Sequence, residues 1–585
     1  MYEAELLSRI IALLQANLVV GDINGNATKI SQLVEKASKA GAQMALSTEL
    51  AISGYPPRDL LLQADFIQSC AEVATCLDTA IPTLLGTPLP SGERQLPGNG
   101  VIRTQSNGRE VVRKQLLPTY DVFDEARYFE ADDRPGIART IAGLDVGVTI
   151  CEDAWQHAKA TPMDYETDPI SQIADWLSQG VALDATLNLS ASPYHMDKLN
   201  TRIKVARTAS DTLQHPFLLA NQVGGNDDLL FDGGSLAAWP DGRVVVAPEW
   251  QEGVLLVDID EPRNSHWLGE GEVRFLESSE EAIIQQGHLA DAVITGLRDY
   301  CLKSGLNKIV LGLSGGIDSA VAACVASAAL GPENVTGFSL PSRHSSSHSI
   351  ADAKATADAL GIHYQEIPIE SLHRGSEDLL QEWLPAGAPI ANENIQARLR
   401  GLIIMAYANA YGAMAIATGN KSELAQGYCT LYGDMAGGYA PLGDLYKMEV
   451  YALAKIFNVR HGKEVVTQST LTKPPSAELA PNQIDQDSLP PYEILDEVLR
   501  LHIEEGLDAT QLQDKGFEAS MVEVVLARLS RNEHKRWQMP PAPRVSRRAF
   551  GQGWRQPLAA EHHWRQESNR IQYPSHSPVA HTCNS

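Results

Sequence analysis

Cys151 stands in VTICEDAW, residues 148–155, at the end of an apolar run and directly before Glu152 and Asp153. A thiol there sits where a strand breaks into a tight turn, a setting that exposes a nucleophile. A lone cysteine at such a place more often fills a core, so its chemistry depends on partners elsewhere in the chain. A second stretch, VLGLSGGIDSAV at 310–321, puts two adjacent glycines between small hydroxyls and follows them with Asp318 and Ser319. Fed by a strand into a helix N-terminus, it gathers backbone N–H groups around one point, which the helix dipole makes favourable for an anion. The Lys and second spaced Gly of GxxxxGKS are missing. The stretch reads as a phosphate loop, with the identity of the phosphates open.

Two α/β regions must hold these residues. At 585 residues the chain exceeds what one core organises. From about 9 to 260 short apolar runs (IIALLQANLVV, IPTLLGTP, LDVGVTICE, ALDATLNLSAS, HPFLLANQVGG) alternate with helix-like text such as NATKISQLVEKASKAGA. GSLAAWPDGRVVVAPEW reads as a hairpin turned at Pro240, Asp241 and Gly242. This mixture predicts a layered α/β/β/α sandwich over 9–262, followed by a polar, Glu-rich linker at 263–285. Beyond it NKIVLGLS, NVTGFSLP and HYQEIPI alternate with DSAVAACVASAALG and SIADAKATADALG. That spacing predicts a doubly wound parallel, Rossmann-like sheet over 286–556. The last 25 residues, 561–585, are polar and lack apolar periodicity, so they read as a disordered tail.

SGGxDS resembles the pyrophosphate-binding loop of the ATP pyrophosphatase family, whose members adenylate a substrate and release pyrophosphate. Ligases that make GMP, asparagine and argininosuccinate share it, so the loop alone names no substrate. PSRHSSSHS (341–349), ENIQARLRG (393–401), ATGNKSELAQGYCTLYGD (417–434), KPPSAEL (473–479) and NEHKRWQMPP (532–541) resemble the NAD+ synthetase family more narrowly. The resemblance implies amidation of the nicotinate carboxylate of deamido-NAD+ through an adenylate, with ATP and Mg2+. It assigns Gly312, Leu313, Ser314, Gly315, Gly316, Ile317, Asp318, Ser319 and Thr418 to ATP. Asn394, Glu423, Tyr428, Cys429, Thr430, Leu431 and Lys535 fall to deamido-NAD+, with Asp318 and Glu423 as metal ligands. Arg398 and Arg400 are basic candidates for phosphate, SRHSSSHS has the polarity of a lid, and Trp537 stands where a second cation is common.

An amidation needs ammonia, which near neutral pH is mostly ammonium. STELAISGYPPRDL supplies Glu49 and VVRKQLLPTYDVFDEARYF supplies Lys114. Glu, Lys and Cys in this order, with these flanks, resemble the nitrilase/amidase superfamily, and within it the glutaminase domains fused to NAD+ synthetases. The resemblance makes Glu49 the base, Lys114 the oxyanion partner and Cys151 the nucleophile, with Tyr120, Ser192 and Lys198 contacting glutamine. Glu125 is a candidate to orient Lys114, and His195 reads as structural. An ammonia tunnel between the halves is the expected consequence.

A net charge of −26 argues against a general nucleic-acid or anionic-membrane binder. Seven cysteines without a CxxC or Cys/His cluster suit a reduced cytoplasm and disfavour structural zinc. No transmembrane run is present. From the resemblance we expect a homo-oligomer, with a homodimer preferred.

Overall fold

The computed structural model describes residues 9–105, 109–134, 136–278, 283, 288–384, 389–476, 478–480, 485–487 and 489–560. The stretch read as a tail, 561–585, lies outside the described residues, as does part of the expected linker. No helix among the described residues is long and apolar enough to cross a membrane.

The first half is two seven-stranded sheets laid face to face. One runs His266–Leu268, Gly253–Asp258, Ile10–Gln15, Met44–Leu46, Thr83–Leu89, Gly98–Arg103, Arg109–Arg113. The other runs Arg274–Leu276, Val244–Val246, Leu236–Ala238, Phe217–Asn221, Ala185–Ser190, Leu144–Ile150, Gly136–Ile141. Because side chains alternate along a strand, Ile11 and Leu13 meet Val146, Val148, Leu187 and Leu189 between the sheets. Ala12 and Leu14 point the other way, against Ile30, Leu33 and Val34 of helix Ile23–Lys39. Helix Lys198–Leu213 covers the second sheet in the same manner through Leu199, Ile203 and Ala206. Burial on both faces explains why these strands read as continuous apolar runs. The architecture is the expected α/β/β/α sandwich.

The Glu-rich stretch read as a linker carries structure. His266–Leu268 adds an antiparallel edge to the first sheet beside Gly253–Asp258, and Arg274–Leu276 adds one to the second beside Val244–Val246. The chain thus closes both sheets before leaving the sandwich, and the boundary moves past Leu276. Very short edge strands are a common way to blunt a sheet edge, and their shortness within a polar stretch hid them.

In the second half four parallel strands run His363–Glu366, Val335–Ser339, Ile309–Gly312, Met414–Ala415. Helix Ile317–Leu330 is buried almost throughout, as its small apolar residues allow. Strand order reverses between Ile309–Gly312 and Met414–Ala415, which opens a crevice at their C-terminal ends.

The halves share one seam. Tyr194 and Leu230 of the sandwich enter the apolar cluster of Leu297, Tyr439 and Val545. Lys303 donates to Asn17 Oδ1 at 2.7 Å and to the Leu18 and Gly225 carbonyls at 2.9 and 2.8 Å. The C-terminal segment then crosses back: Met196 N–H donates to the Val545 carbonyl (3.0 Å), Arg544 N–H to the Asp228 carbonyl (2.8 Å), and the Arg544 guanidinium pairs with Asp121. Lys421 Nζ holds the same segment from the other side through Ser546 Oγ at 2.6 Å.

Candidate active sites

Glu49, Lys114 and Cys151 arrive on loops that follow strands of different sheets: the first two leave Met44–Leu46 and Arg109–Arg113, the third leaves Leu144–Ile150. Lys114 Nζ donates to Glu49 Oε1 at 2.7 Å and to both oxygens of Glu125 at 2.9 and 2.8 Å. All three are buried; Glu49 and Lys114 are each 1% exposed. Asn99 Nδ2 (2.7 Å) and the Ala191 N–H (3.2 Å) complete the shell of Glu49, and Tyr55 OH donates to Glu125 Oε1 at 3.0 Å. Burial lifts Glu125 to about 7 against the pull of Lys114, while the two carboxylates overcome burial and hold Lys114 charged.

Cys151 opens a 3-10 turn with φ +42°, a backbone setting that a side-chain-bearing residue seldom occupies. Burial raises its thiol well above the ordinary value, Glu49 raises it further, and Lys114 opposes both. A neutral thiol beside a carboxylate and an ammonium is the arrangement for proton removal at the moment of attack.

Around this centre Tyr120 OH donates to both oxygens of Glu152 at 3.2 Å, and Tyr165 OH adds a third contact at 3.2 Å. Glu152 is buried and no cation pairs with it among the described residues. Lys198 Nζ lies 4.2 Å from the Trp155 ring centre and has no anionic partner there either. Burial, with Arg202 and Arg544, pushes Lys198 down to about 8. Ser192 is buried, its N–H donating to Asn221 Oδ1 at 2.9 Å. His195, pushed down to about 3 mainly by burial, is neutral and lies against the Met196 carbonyl.

The second site is a cavity of about 580 Å³ at the crevice of the parallel sheet. Gly312, Leu313, Ser314, Gly316, Ile317, Asp318, Ser319 and Thr418 line it. Gly315 does not; at φ +79° it turns the loop so tightly that a Cβ would meet the Ser349 carbonyl at 2.1 Å. Asn394, Glu423, Tyr428, Cys429, Thr430 and Lys535 also line the cavity, whereas Leu431 stands outside it and offers its carbonyl to Arg398 at 3.2 Å. Arg400 faces the cavity and Arg398 does not. Thr430 Oγ1 donates to Asn394 Oδ1 at 2.9 Å, and Lys535 Nζ is fixed by the Gly427 and Cys429 carbonyls at 2.7 Å. Trp537 is exposed. Ser346 and Ser349 of the polar loop both donate to Glu478 (3.0 and 2.8 Å), drawing the loop across one side of the cavity.

Lys447, which sequence reading did not single out, reaches Asp318 Oδ2 at 2.6 Å and Glu423 Oε1 at 3.0 Å. Asn420 Nδ2 holds Asp318 Oδ1 at 2.8 Å. Burial, with the charge of Asp318, lifts Glu423 to about 8 even against Lys447. No group of three or more His, Cys, Asp or Glu among the described residues would hold a metal by itself. Two carboxylate donors beside a phosphate-binding loop nevertheless fit Mg2+, which commonly takes one or two carboxylates together with substrate phosphates.

Sequence reading also missed Asn99, Tyr55, Glu152 and Asp153. Only the last two had a signal, their position directly after Cys151.

Comparison with known proteins agrees with this division. A family model for carbon-nitrogen hydrolase matches residues 10–267, and one for NAD synthase matches 289–540. The glutamine-dependent NAD(+) synthetase of Synechocystis sp. is 40% identical, over 94% of this chain and 99% of its own. That of Thermotoga maritima is 37% identical over 94% and 98%. The structure of the Acinetobacter baumannii glutamine-dependent NAD+ synthetase in complex with ADP superposes with a TM-score of 0.71 at 31% identity, covering 94% of this chain and 98% of that one. With two catalytic-domain matches in order and relatives aligned nearly end to end, the chain belongs to the glutamine-dependent NAD+ synthetases.

Proposed function

We propose that the sandwich hydrolyses glutamine at Cys151 and that the parallel-sheet half uses the ammonia to amidate deamido-NAD+ through an adenylate. Glu49 takes the Cys151 proton as sulfur attacks the carboxamide carbon, and Lys114 stabilises the oxyanion. Glu49 returns that proton to the amide nitrogen as the C–N bond breaks and ammonia leaves; it then takes a proton from water attacking the thioester and gives it to sulfur as glutamate departs. Lys198 and Glu152 suit the two ends of an α-amino acid, since each is an unpaired charge in a largely buried pocket.

In the second cavity the nicotinate carboxylate attacks the α-phosphate of ATP while the Ser314–Ser319 loop holds the departing pyrophosphate. Ammonia then displaces AMP from the acyl carbon. The summed reaction consumes deamido-NAD+, ATP, glutamine and water and yields NAD+, AMP, diphosphate and glutamate. Mg2+, held through Asp318 and Glu423, would offset phosphate charge; Lys447 orients both carboxylates, and the lining residues position the two substrates. The missing loop lysine accords with a grip on pyrophosphate rather than γ-transfer. The shared seam, sealed by Tyr194, Leu230 and Tyr439, supports a protein-enclosed path for ammonia.

The observation that carries this reading is the buried Lys114 bonded to both Glu49 and Glu125 beside the positive-φ Cys151. Its test is Cys151→Ala assayed with deamido-NAD+, Mg-ATP and either nitrogen source. Glutamine-driven NAD+ formation is expected to vanish and ammonium-driven formation to persist. A folded variant inactive with both sources would refute the division of labour.

A homodimer fits the long helix Pro389–Tyr411, which exposes Leu402, Met405 and Tyr411 while Asn394, Ala397, Arg400 and Gly401 line the cavity.

A further inference from the structure

Cys151 and Lys114 follow strands of different sheets, and among the described residues no backbone ladder joins the two sheets. Facing sheets slide against one another more readily than paired strands do, so something must set the nucleophile in register with the ammonium. Asp153 spans that gap. Its Oδ2 accepts the Ile150 N–H at 3.0 Å, immediately before Cys151, while Oδ1 accepts the Gln115 and Leu116 N–H groups at 3.1 and 2.9 Å, immediately after Lys114. The side chain is 1% exposed, and all three recorded bonds go to backbone. A carboxylate buried to satisfy three backbone donors from two sheets is costly unless those bonds are all made.

We infer that Asp153 is a positioning residue for the glutaminase reaction, a carboxylate clamp that fixes the Cys151 turn against the Lys114 segment across the inter-sheet gap. It acts through the backbone of Ile150, Gln115 and Leu116, the residues beside Cys151 and Lys114. Asparagine cannot replace it. A carboxamide has one acceptor oxygen, so whichever way it is set, its NH2 faces an N–H that the carboxylate accepted. The inference rests on the glutaminase reading, and ammonium-driven synthesis separates failure of the one from failure of the other.

The test compares Asp153→Asn with the unaltered full chain using both nitrogen sources. With glutamine, kcat is expected to fall about 100-fold, the effect of an ångström-scale misplacement, while KM for glutamine stays within about 2-fold. Ammonium-driven NAD+ formation and its KM for ATP should be unchanged. A glutamine kcat within about 3-fold of the original, or equal loss with both nitrogen sources in a folded chain, overturns the inference. Should the carboxamide prevent folding, an amide-to-ester replacement at Leu116 removes one N–H donor and leaves every side chain in place. It should lower kcat with glutamine about 5-fold and spare the ammonium-driven rate; an unaltered glutamine rate again overturns the inference.

Discussion

Lys198 has the chemistry to make glutamine binding depend on alkaline pH. Burial, Arg202 and Arg544 lower it to about 8, while Cys151 and Glu152 act in the opposite sense. Its charged form is the one that would hold a carboxylate, so the charge is present below pH 8 and lost above it. KM for glutamine should rise above that pH while KM for ATP stays level. Lys198→Met should raise KM for glutamine roughly 10- to 100-fold, the range for a charge-assisted bond, and abolish this limb. Persistence of the limb in the variant would assign it to another group. At this scale the sequence reading named side chains that the fold brings together and missed those that hold them. Glu49, Lys114 and Cys151 stand out through their order along the chain and through flanks that resemble the nitrilase/amidase superfamily. Asn99 and Tyr55 serve the same centre through single contacts fixed only by tertiary folding, and Lys447 looks like any helix-borne lysine until Asp318 and Glu423 meet it.

The elements that matter most to the reaction are loops at strand ends and one returning segment. Arg544 ties that segment to Asp121, next to Tyr120, and its N–H holds the Asp228 carbonyl. Ser546 ties the same segment to Asp444 and to Lys421, two residues before Glu423. Arg544→Ala should therefore loosen the agreement between glutamine hydrolysis and amidation. The expected outcome is about a 5-fold rise in glutamate formed per NAD+, at the lower range of site-to-site coupling. An unchanged ratio would leave the segment a purely structural tie. Strands such as Leu144–Ile150 were legible because burial on both faces demands unbroken apolar runs. The edge strands His266–Leu268 and Arg274–Leu276 were not, since three residues inside a polar, Glu-rich stretch are too few to show a period.

Across the whole molecule, the alternation of strands and helices was enough to foresee a sandwich followed by a parallel sheet. The seam was not legible, because Lys303, Asp299 and Arg544 reach partners hundreds of residues away. Association of whole chains belongs to this scale. Leu402, 60% exposed on helix Pro389–Tyr411, is the residue to charge. If the helix is the dimer face, Leu402→Glu should shift the sedimenting mass toward one chain, since desolvating an unpaired carboxylate opposes burial in an apolar contact. A sedimenting mass unchanged by the substitution would move the interface elsewhere.

The returning C-terminal segment also bears on how such a chain can be recombined. A chimera built with a single crossover between Leu276 and His288 would bring a foreign 541–555 against the host's Asp121, Met196 and Asp228. A second junction before Pro541 would restore those contacts but set the segment against a foreign Lys421 and Asp444, so 541–555 must suit both halves at once. In hereditary terms the halves are sequential, but neither can be exchanged without regard to this shared segment.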